Sequence, residues 1–115
     1  MNPASFVAGS EPFALVVRFH LRPRHEREFD DVVASTVAAI AQHEPGTVLY
    51  ATHRVEDQPM LRIFYELYEN RAAFEAHEHQ PHVRHFLAER ERLVERVEVD
   101  WLTPVNVADA RGGVA

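Results

Sequence analysis

Four histidines fall within the nine residues HEHQPHVRH: His77, His79, His82 and His85. A carboxylate, Glu66, lies shortly before them in the chain. Imidazole groups titrate near neutral pH, so they can accept or donate protons, and they are also frequent metal ligands. The segment therefore has three competing interpretations: a metal site, an acid–base site, or a solvated helix surface.

A metal site requires two or three imidazoles to converge, often from positions i and i+4 of one helix. His82 and His85 are three residues apart and can share a helix face, but His77 and His79 point about 160° apart. Pro81 interrupts the helix between these two pairs. A structural metal stays open as an alternative, and we expect the protein to hold none.

The acid–base interpretation separates the histidines by position. His77 follows Phe74 by three residues and shares its side of the helix, either as a hydrogen-bonded core residue or as a polar group in a cavity. His82 begins the next helical segment, where the positive helix end disfavours the imidazolium and preserves a neutral base. His79 and His85 are interpreted as surface residues.

The other polar candidates lie on predicted strands. Glu66 either pairs with an arginine, which is Arg62 or Arg18 on the same sheet face or an arginine of a second subunit, or takes part in proton transfer. Tyr68 is either a half-buried rim residue or a proton donor. Trp101 is expected in the core or at an interface.

The composition excludes several classes of chemistry and partner. The chain has 115 residues, which is enough for one domain with a substantial core. Its net charge of −6 argues against nucleic acid or an anionic membrane as partner. All twelve basic residues are arginine and cysteine is absent, so lysine Schiff bases, thiolate nucleophiles and disulfides are excluded. Neither a membrane span nor a signal peptide is recognisable, so we expect a cytoplasmic protein.

Alternation and helical periodicity predict the order β-α-β-β-α-β. The strands are expected at residues 13–21, 47–55, 60–68 and 96–102. A first helix is expected over residues 24–43, and a second begins after Asn70 as N-cap and restarts at Pro81. Residues 13–103 would form the domain, between a flexible N-terminal arm (1–12) and a mobile C-terminal tail (104–115).

This order predicts an α+β, ferredoxin-like fold: a four-stranded antiparallel sheet with its helices on one face. Two alternating sets of strand residues compete for the helix-covered side. The first set is apolar: Leu15, Val17, Leu61, Ile63, Val97, Val99 and Trp101. The second set mixes apolar and polar groups: Val16, Arg18, His20, His53, Arg62, Phe64, Glu66 and Tyr68. Because neither set is plainly hydrophilic, we expect the uncovered face to be buried against a second copy, in a homodimer.

The segment YELYENRAAFEAHEHQPHVRHF resembles the signature of the antibiotic biosynthesis monooxygenase family. In that signature the third strand ends in Glu-x-Tyr or Glu-x-Trp, an Ala-Phe pair opens the helix, and a histidine and a Pro-His pair follow. The matching residues are Glu66, Tyr68, Ala73, Phe74, His77, Pro81 and His82. The resemblance extends from Phe13 to Thr103, and it implies the ferredoxin-like unit paired sheet to sheet as a dimeric α+β barrel.

The family includes cofactor-free quinol and anthrone oxygenases, haem-degrading oxygenases and small-molecule isomerases. The haem-degrading branch fits poorly, because it has a tryptophan at the position of Tyr68. Its proximal histidine would fall near Leu87, which cannot bind iron, and His85 could replace it only with a local shift. We therefore expect no cofactor.

The resemblance implies a cofactor-independent monooxygenase that oxidises a small quinol, anthrone or phenol with O2 after histidine-assisted deprotonation. The expected catalytic residues are His77, His82 and Tyr68. The expected substrate-binding residues are Glu66, Arg18, Phe64, Phe74 and Phe86. Two alternatives stay open: a non-catalytic dimeric barrel that binds a small aromatic ligand, and an isomerase that moves a proton without oxygen.

Overall fold

The computed structural model describes residues 11–109 and 113–114 and has the predicted ferredoxin-like architecture. Its main elements, in chain order, are β1 (Phe13–Leu21), α1 (Glu26–His43), β2 (Thr47–Val55), β3 (Gln58–Tyr68), α2 (Arg71–Glu78), α3 (Pro81–Leu93) and β4 (Val94–Leu102). The four strands form one antiparallel sheet in the order β2-β3-β1-β4. The core lies between this sheet and the helices, where Phe19 and Phe64 of the sheet pack against Phe29 of α1 and Phe86 of α3.

The strand register corrects the predicted division of the sheet into two faces. Leu15 lies opposite Glu66 on β3, and Val17 lies opposite Phe64, so all four share the helix-covered side. Leu61, grouped in the sequence with Leu15 and Val17, instead pairs with His20 on the helix-free side. Only the residues of β3 were assigned to the wrong sets, since Leu15 and Val17 do lie opposite Trp101 and Val99 of β4, as predicted. Alternation fixes which residues of one strand share a face, but the pairing of strands decides which set of the neighbouring strand lies on that face.

The ends of the helices follow local chemistry. Helix α1 begins two residues later than expected, because Arg24 adopts a left-handed conformation (φ 70°) in the turn that precedes it. Asn70 caps α2 as predicted, and its side-chain oxygen accepts a hydrogen bond from Ala73 N at 2.8 Å. Pro81 is the first residue of α3, as predicted, so the histidine-rich segment is divided between two helices.

The predicted terminal segments are described only in part. Residues 1–10 of the expected N-terminal arm lie outside the described residues. In the expected C-terminal tail, Ala108–Asp109 (β5) pairs antiparallel with Gly113–Val114 (β6). Within the described part of the chain, no helix is long and apolar enough to cross a membrane.

Candidate active site

The end of β3 supplies a buried carboxyl–phenol pair. Residues i and i+2 of a strand share a face, so Glu66 and Tyr68 both point to the helix-covered side. Tyr68 is fully buried, and its hydroxyl donates a hydrogen bond to Glu66 Oε1 at 2.6 Å. Glu66 is only 5% exposed, and it pairs with neither of the arginines that the sequence suggested. Arg62 instead binds Asp30 of α1 through two hydrogen bonds of 2.8 and 2.9 Å.

The turn after α1 supplies a second buried carboxylate, Glu44. Its Oε1 atom accepts hydrogen bonds from Thr47 Oγ1 and His77 Nδ1, both at 2.7 Å. Its Oε2 atom lies 2.5 Å from His82 Nε2. One carboxylate therefore joins the two histidines across the break between α2 and α3.

Glu44 is not among the residues expected from the sequence to form the site; it is the first residue of the EPGT segment, which follows the first predicted helix. Its contacts lie 33 and 38 residues further along the chain, at His77 and His82. The EPGT turn, which begins with Glu44, lies inside the region that resembles the family. That position was the one signal in the sequence that could have identified Glu44 as a candidate.

The geometry around His77 assigns its two nitrogens different roles. An ionised carboxylate can only accept a hydrogen bond, so the Nδ1 atom that contacts Glu44 carries the proton. The Nε2 atom is then free to accept one, and it lies 3.9 Å from Glu66 Oε1. His77 is 5% exposed and borders a cavity, so its imidazole is largely shielded from bulk water.

The electrostatics of the four groups support this assignment. Burial raises the pKa of Glu44, but hydrogen bonds from Thr47, His82 and His77 outweigh it, so the pKa is lowered overall and Glu44 stays ionised. Burial lowers the pKa of His77 despite the opposing hydrogen bond to Glu44, which favours the neutral imidazole.

The pKa values of the carboxyl–phenol pair move upwards. The pKa of Glu66 is raised to about 7, mainly by burial and in smaller part by the nearby charges of Glu44 and Glu78, while the hydrogen bond from Tyr68 acts in the opposite direction. Burial and then the charge of Glu66 raise the pKa of Tyr68 far above its ordinary value, so Tyr68 stays a neutral hydrogen-bond donor. Glu66 can therefore exchange a proton near neutral pH.

A cavity of about 220 Å³ connects these groups to the surface. It lies between the four-stranded sheet on one side and α2 and α3 on the other. Aromatic side chains form much of its wall: Tyr50, Phe74, Phe86 and Trp101. Its polar wall consists of Glu66, His77, Glu78 and Arg90. The indole of Trp101, 61% exposed, marks the side that opens to solvent.

The structure brings most of the predicted site residues to this cavity. Glu66, His77, Phe74 and Phe86 line it directly, and Tyr68 supports Glu66 from behind. His82 does not line the cavity but contacts Glu44 on the far side of His77.

The remaining predicted residues lie elsewhere. Phe64 is a core residue that packs against Phe86 and does not reach the cavity. Arg18 lies on the helix-free sheet face, where it pairs with Asp100 at 2.8 Å. His79 and His85 are exposed, and His79 Nδ1 lies 2.7 Å from the carbonyl oxygen of Glu75.

A second groove and a metal site are less well supported as functional sites. A larger groove of about 590 Å³ lies between α1 and β2, but its ionic residues Arg62 and Asp30 already satisfy each other. Among the residues that the structure describes, no group of three or more histidine, aspartate or glutamate side chains is arranged to hold a metal ion. The acid–base cluster of Glu44, His77, His82 and Glu66 is therefore the candidate active site.

The sequence profile of the antibiotic biosynthesis monooxygenase family matches residues 12–89, which include every member of this cluster. The chain belongs to this family. A search of curated proteins gives no significant match.

Solved structures agree with the family fold. Rv0793 from Mycobacterium tuberculosis is 25% identical, with a TM-score of 0.79 and coverage of 86% of this chain and 100% of its own. PA3566 from Pseudomonas aeruginosa is 24% identical, with a TM-score of 0.77 and coverage of 86% and 99%. A proposed antibiotic biosynthesis monooxygenase from Bacteroides thetaiotaomicron is 18% identical, with a TM-score of 0.79 and coverage of 85% and 93%.

Proposed function

We propose that this family member is a cofactor-independent monooxygenase that oxidises a small electron-rich aromatic compound with O2. The supporting observation is the hydrogen bond between His77 Nδ1 and Glu44, which leaves the basic Nε2 atom of a buried imidazole at the wall of an aromatic cavity. A phenol, quinol or anthrone bound there needs only to lose a proton to become an anion that can reduce O2.

Proton removal is the step that the cluster serves. The substrate proton passes to His77 Nε2, and the resulting imidazolium is stabilised by the adjacent Glu44 carboxylate. His82 holds the other oxygen of Glu44 and thereby fixes the carboxylate against His77. These contacts support the proposed roles of His77 as base and of Glu44 and His82 as positioning residues.

The oxidation balances without an external reductant. At an anthrone-type CH2 group, the carbanion forms a C–O bond with O2 to give a hydroperoxide. The second C–H bond and the O–O bond then break, giving a carbonyl group and one water. The substrate supplies all four electrons, and one oxygen atom of O2 enters the product.

Glu66 is the proposed proton donor to the departing peroxide oxygen. Its pKa of about 7 leaves a substantial protonated fraction at neutral pH, and Tyr68 holds the carboxyl group in place. The cavity volume of about 220 Å³ is below the ~300–1,000 Å³ of sites for drug-sized ligands. This volume therefore favours a compact substrate over a drug-sized one.

An isomerase is the second candidate, and one observation favours it. His77 Nε2 and Glu66 Oε1 lie 3.9 Å apart. Glu66 has a pKa of about 7, and burial lowers the pKa of His77, which favours its neutral, basic form. Such a pair could remove a proton from one position of a substrate and return it to another without consuming oxygen.

Oxygen consumption decides between these functions. The purified protein is mixed with small anthrones, hydroquinones and phenols while dissolved O2 is recorded, and the product is analysed after a reaction under ¹⁸O2. Uptake with one labelled oxygen in the product supports the monooxygenase. Substrate rearrangement without uptake supports the isomerase, and binding without any reaction supports a ligand-binding barrel.

We also propose that the protein acts as a homodimer in which the helix-free sheet faces meet. That face carries apolar side chains with no helix to cover them, including Leu49, 47% exposed, and Leu102, 37% exposed. Burial of these side chains against a second copy would remove apolar surface from water.

A further inference from the structure

One cation faces the cavity from the buried stripe of α3. Val83, Phe86 and Arg90 follow the spacing i, i+3, i+7, and all three line the cavity. The other arginines of α3 differ in position: Arg84 is exposed, and Arg92 is held by Glu28 and Glu89. An arginine on the solvent side of a helix keeps its hydration. A guanidinium on the apolar side loses part of it, so its position there requires an explanation.

The guanidinium of Arg90 forms no hydrogen bond or ion pair with any residue in the described part of the chain. Two carboxyl groups, Glu66 and Glu78, line the same cavity without pairing with it. Its charge still reaches the interior, since it acts on the buried phenol of Tyr50. A partly buried guanidinium without an anionic partner is costly, and a ligand anion would supply one.

Arg90 shares the cavity with His77 of α2, and it lies at the end of α3 that is remote from the histidine cluster. His82, which contacts Glu44 beside His77, lies in the first turn of the helix, and Arg90 lies in its last turn. At 1.5 Å per residue, their backbones are separated by about 12 Å along the helix axis. A ligand that reaches both ends would present an acidic proton at one end and an anionic group at the other.

We propose that Arg90 binds a carboxylate on the substrate, so that the preferred substrates are hydroxy-aromatic carboxylates. This inference rests on the proposed function for the hydroxyl end, where His77 would remove the proton. The carboxylate end depends on Arg90 alone, because a planar guanidinium binds a carboxylate through two parallel hydrogen bonds.

Binding of 4-hydroxybenzoate and of its neutral isostere 4-hydroxybenzamide tests the proposal. Dissociation constants are measured by calorimetry in oxygen-free buffer for the natural protein, Arg90→Gln, Arg90→Lys and the matched control Arg84→Gln. We expect the natural protein and Arg84→Gln to bind the acid about tenfold or more tightly than the amide, as for a hydrogen bond to a charged group. Arg90→Gln should lose this preference, and Arg90→Lys should keep part of it.

Equal affinity for acid and amide, no binding of either probe, or equal loss in the Arg84 and Arg90 variants would overturn the proposal. The anaerobic measurement separates it from the proposed oxygenation. If binding shows an Arg90-dependent preference for the acid over the amide but no aromatic compound causes O2 uptake, the oxygenase is rejected and the carboxylate site is retained. If neutral phenols cause O2 uptake and the acid is not preferred, the carboxylate site is rejected and the oxygenase is retained.

Discussion

Two imidazoles share the two oxygens of one buried carboxylate, and this arrangement gives His77 a single role. Because Glu44 is ionised and can only accept, it holds the proton of His77 on Nδ1 and leaves Nε2 basic toward the cavity. His82 satisfies the remaining oxygen of Glu44. The histidine-rich segment thus divides into a cavity residue, a supporting residue and two exposed residues, His79 and His85.

His77→Ala removes the proposed base, so O2 uptake should fall about 10²-fold or more, the usual scale for loss of a general base. His82→Ala should also reduce the rate, because Glu44 loses the contact to its second oxygen. His79→Ala is the matched control and should leave the rate unchanged, since this imidazole is exposed. Initial rates of oxygen consumption measure all three, and equal small effects at the three positions would contradict the assignment.

Glu66 should make the folded protein less stable as pH rises. Its ordinary pKa is 4.5 and its folded pKa is about 7, so between these values the folded state binds more protons than the unfolded state. Stability from this group is present below pH 4.5, is lost as pH rises towards 7, and the total loss is about 3 kcal/mol. Glu66→Gln, which mimics the protonated form, should therefore exceed the natural protein in stability by about that amount at pH 8.

Urea unfolding at pH 4 and pH 8 measures this difference. The two proteins should have similar free energies of unfolding at pH 4, where Glu66 is protonated in both states. His77 and Glu44 also titrate with shifted pKa values, both lowered, so their linkage has the opposite sign. Both groups are present in the natural protein and in Glu66→Gln, so their contributions largely cancel in the stability difference between the two proteins. A stability difference that is the same at both pH values would refute the raised pKa.

At the scale of elements, the turn after α1 and the start of α2 pack without spare room. A Cβ atom added at Gly46 would lie 2.7 Å from Ala73 Cβ, and Glu69 N donates a hydrogen bond to Gly46 O at 3.0 Å. This contact brings the turn that carries Glu44 against the helix that carries His77. The spacing of the cluster therefore depends on a glycine that has no chemical role.

Gly46→Ala should reduce the free energy of unfolding by about 1–3 kcal/mol, the usual range for overpacking. Ala73→Gly removes the opposing methyl group, so the double variant should be more stable than the sum of the single effects predicts. Ala72→Gly, at the exposed neighbouring position of the same turn, measures the cost of glycine in the helix, about 1 kcal/mol. Urea unfolding measures the free energies of this double-mutant cycle. If the effects of Gly46→Ala and Ala73→Gly simply add, the contact between these two positions is not the cause of the destabilisation.

At the scale of the whole molecule, the two faces of the sheet have different roles. The helix-covered face holds the core and the cavity, whereas the helix-free face combines apolar side chains with ion pairs such as Arg18–Asp100. A face of this mixed character is typical of an interface between subunits, with an apolar interior and charged groups at its edges.

Light scattering at micromolar concentration should give twice the mass of one chain. Val16→Asp, on the helix-free face, should shift the protein towards the monomer, because a charge would enter the apolar interface. Val105→Asp is the control, since Val105 is 88% exposed and lies outside the sheet. A monomer mass for the natural protein, or equal effects of both substitutions, would reject the proposed homodimer.

The sequence by itself determined the features that repeat within one element. Alternation located β1 and β2 with their observed bounds, Asn70 and Pro81 marked the starts of α2 and α3, and the family signature pointed to Glu66 and His77. Strand β3 begins two residues earlier than expected and β4 begins at Val94, because pairing extends strands beyond their recognisable pattern.

Tertiary structure alone decided the contacts between elements. The register of β1 against β3 placed Phe64 and Glu66 beneath the helices and Arg18 on the opposite face, although each strand alone allows either arrangement. Glu44 joined the cluster because the turn after α1 packs against α2, more than thirty residues away in the chain. Local patterns carry no information on such distances, since they depend on how remote segments fill the same core.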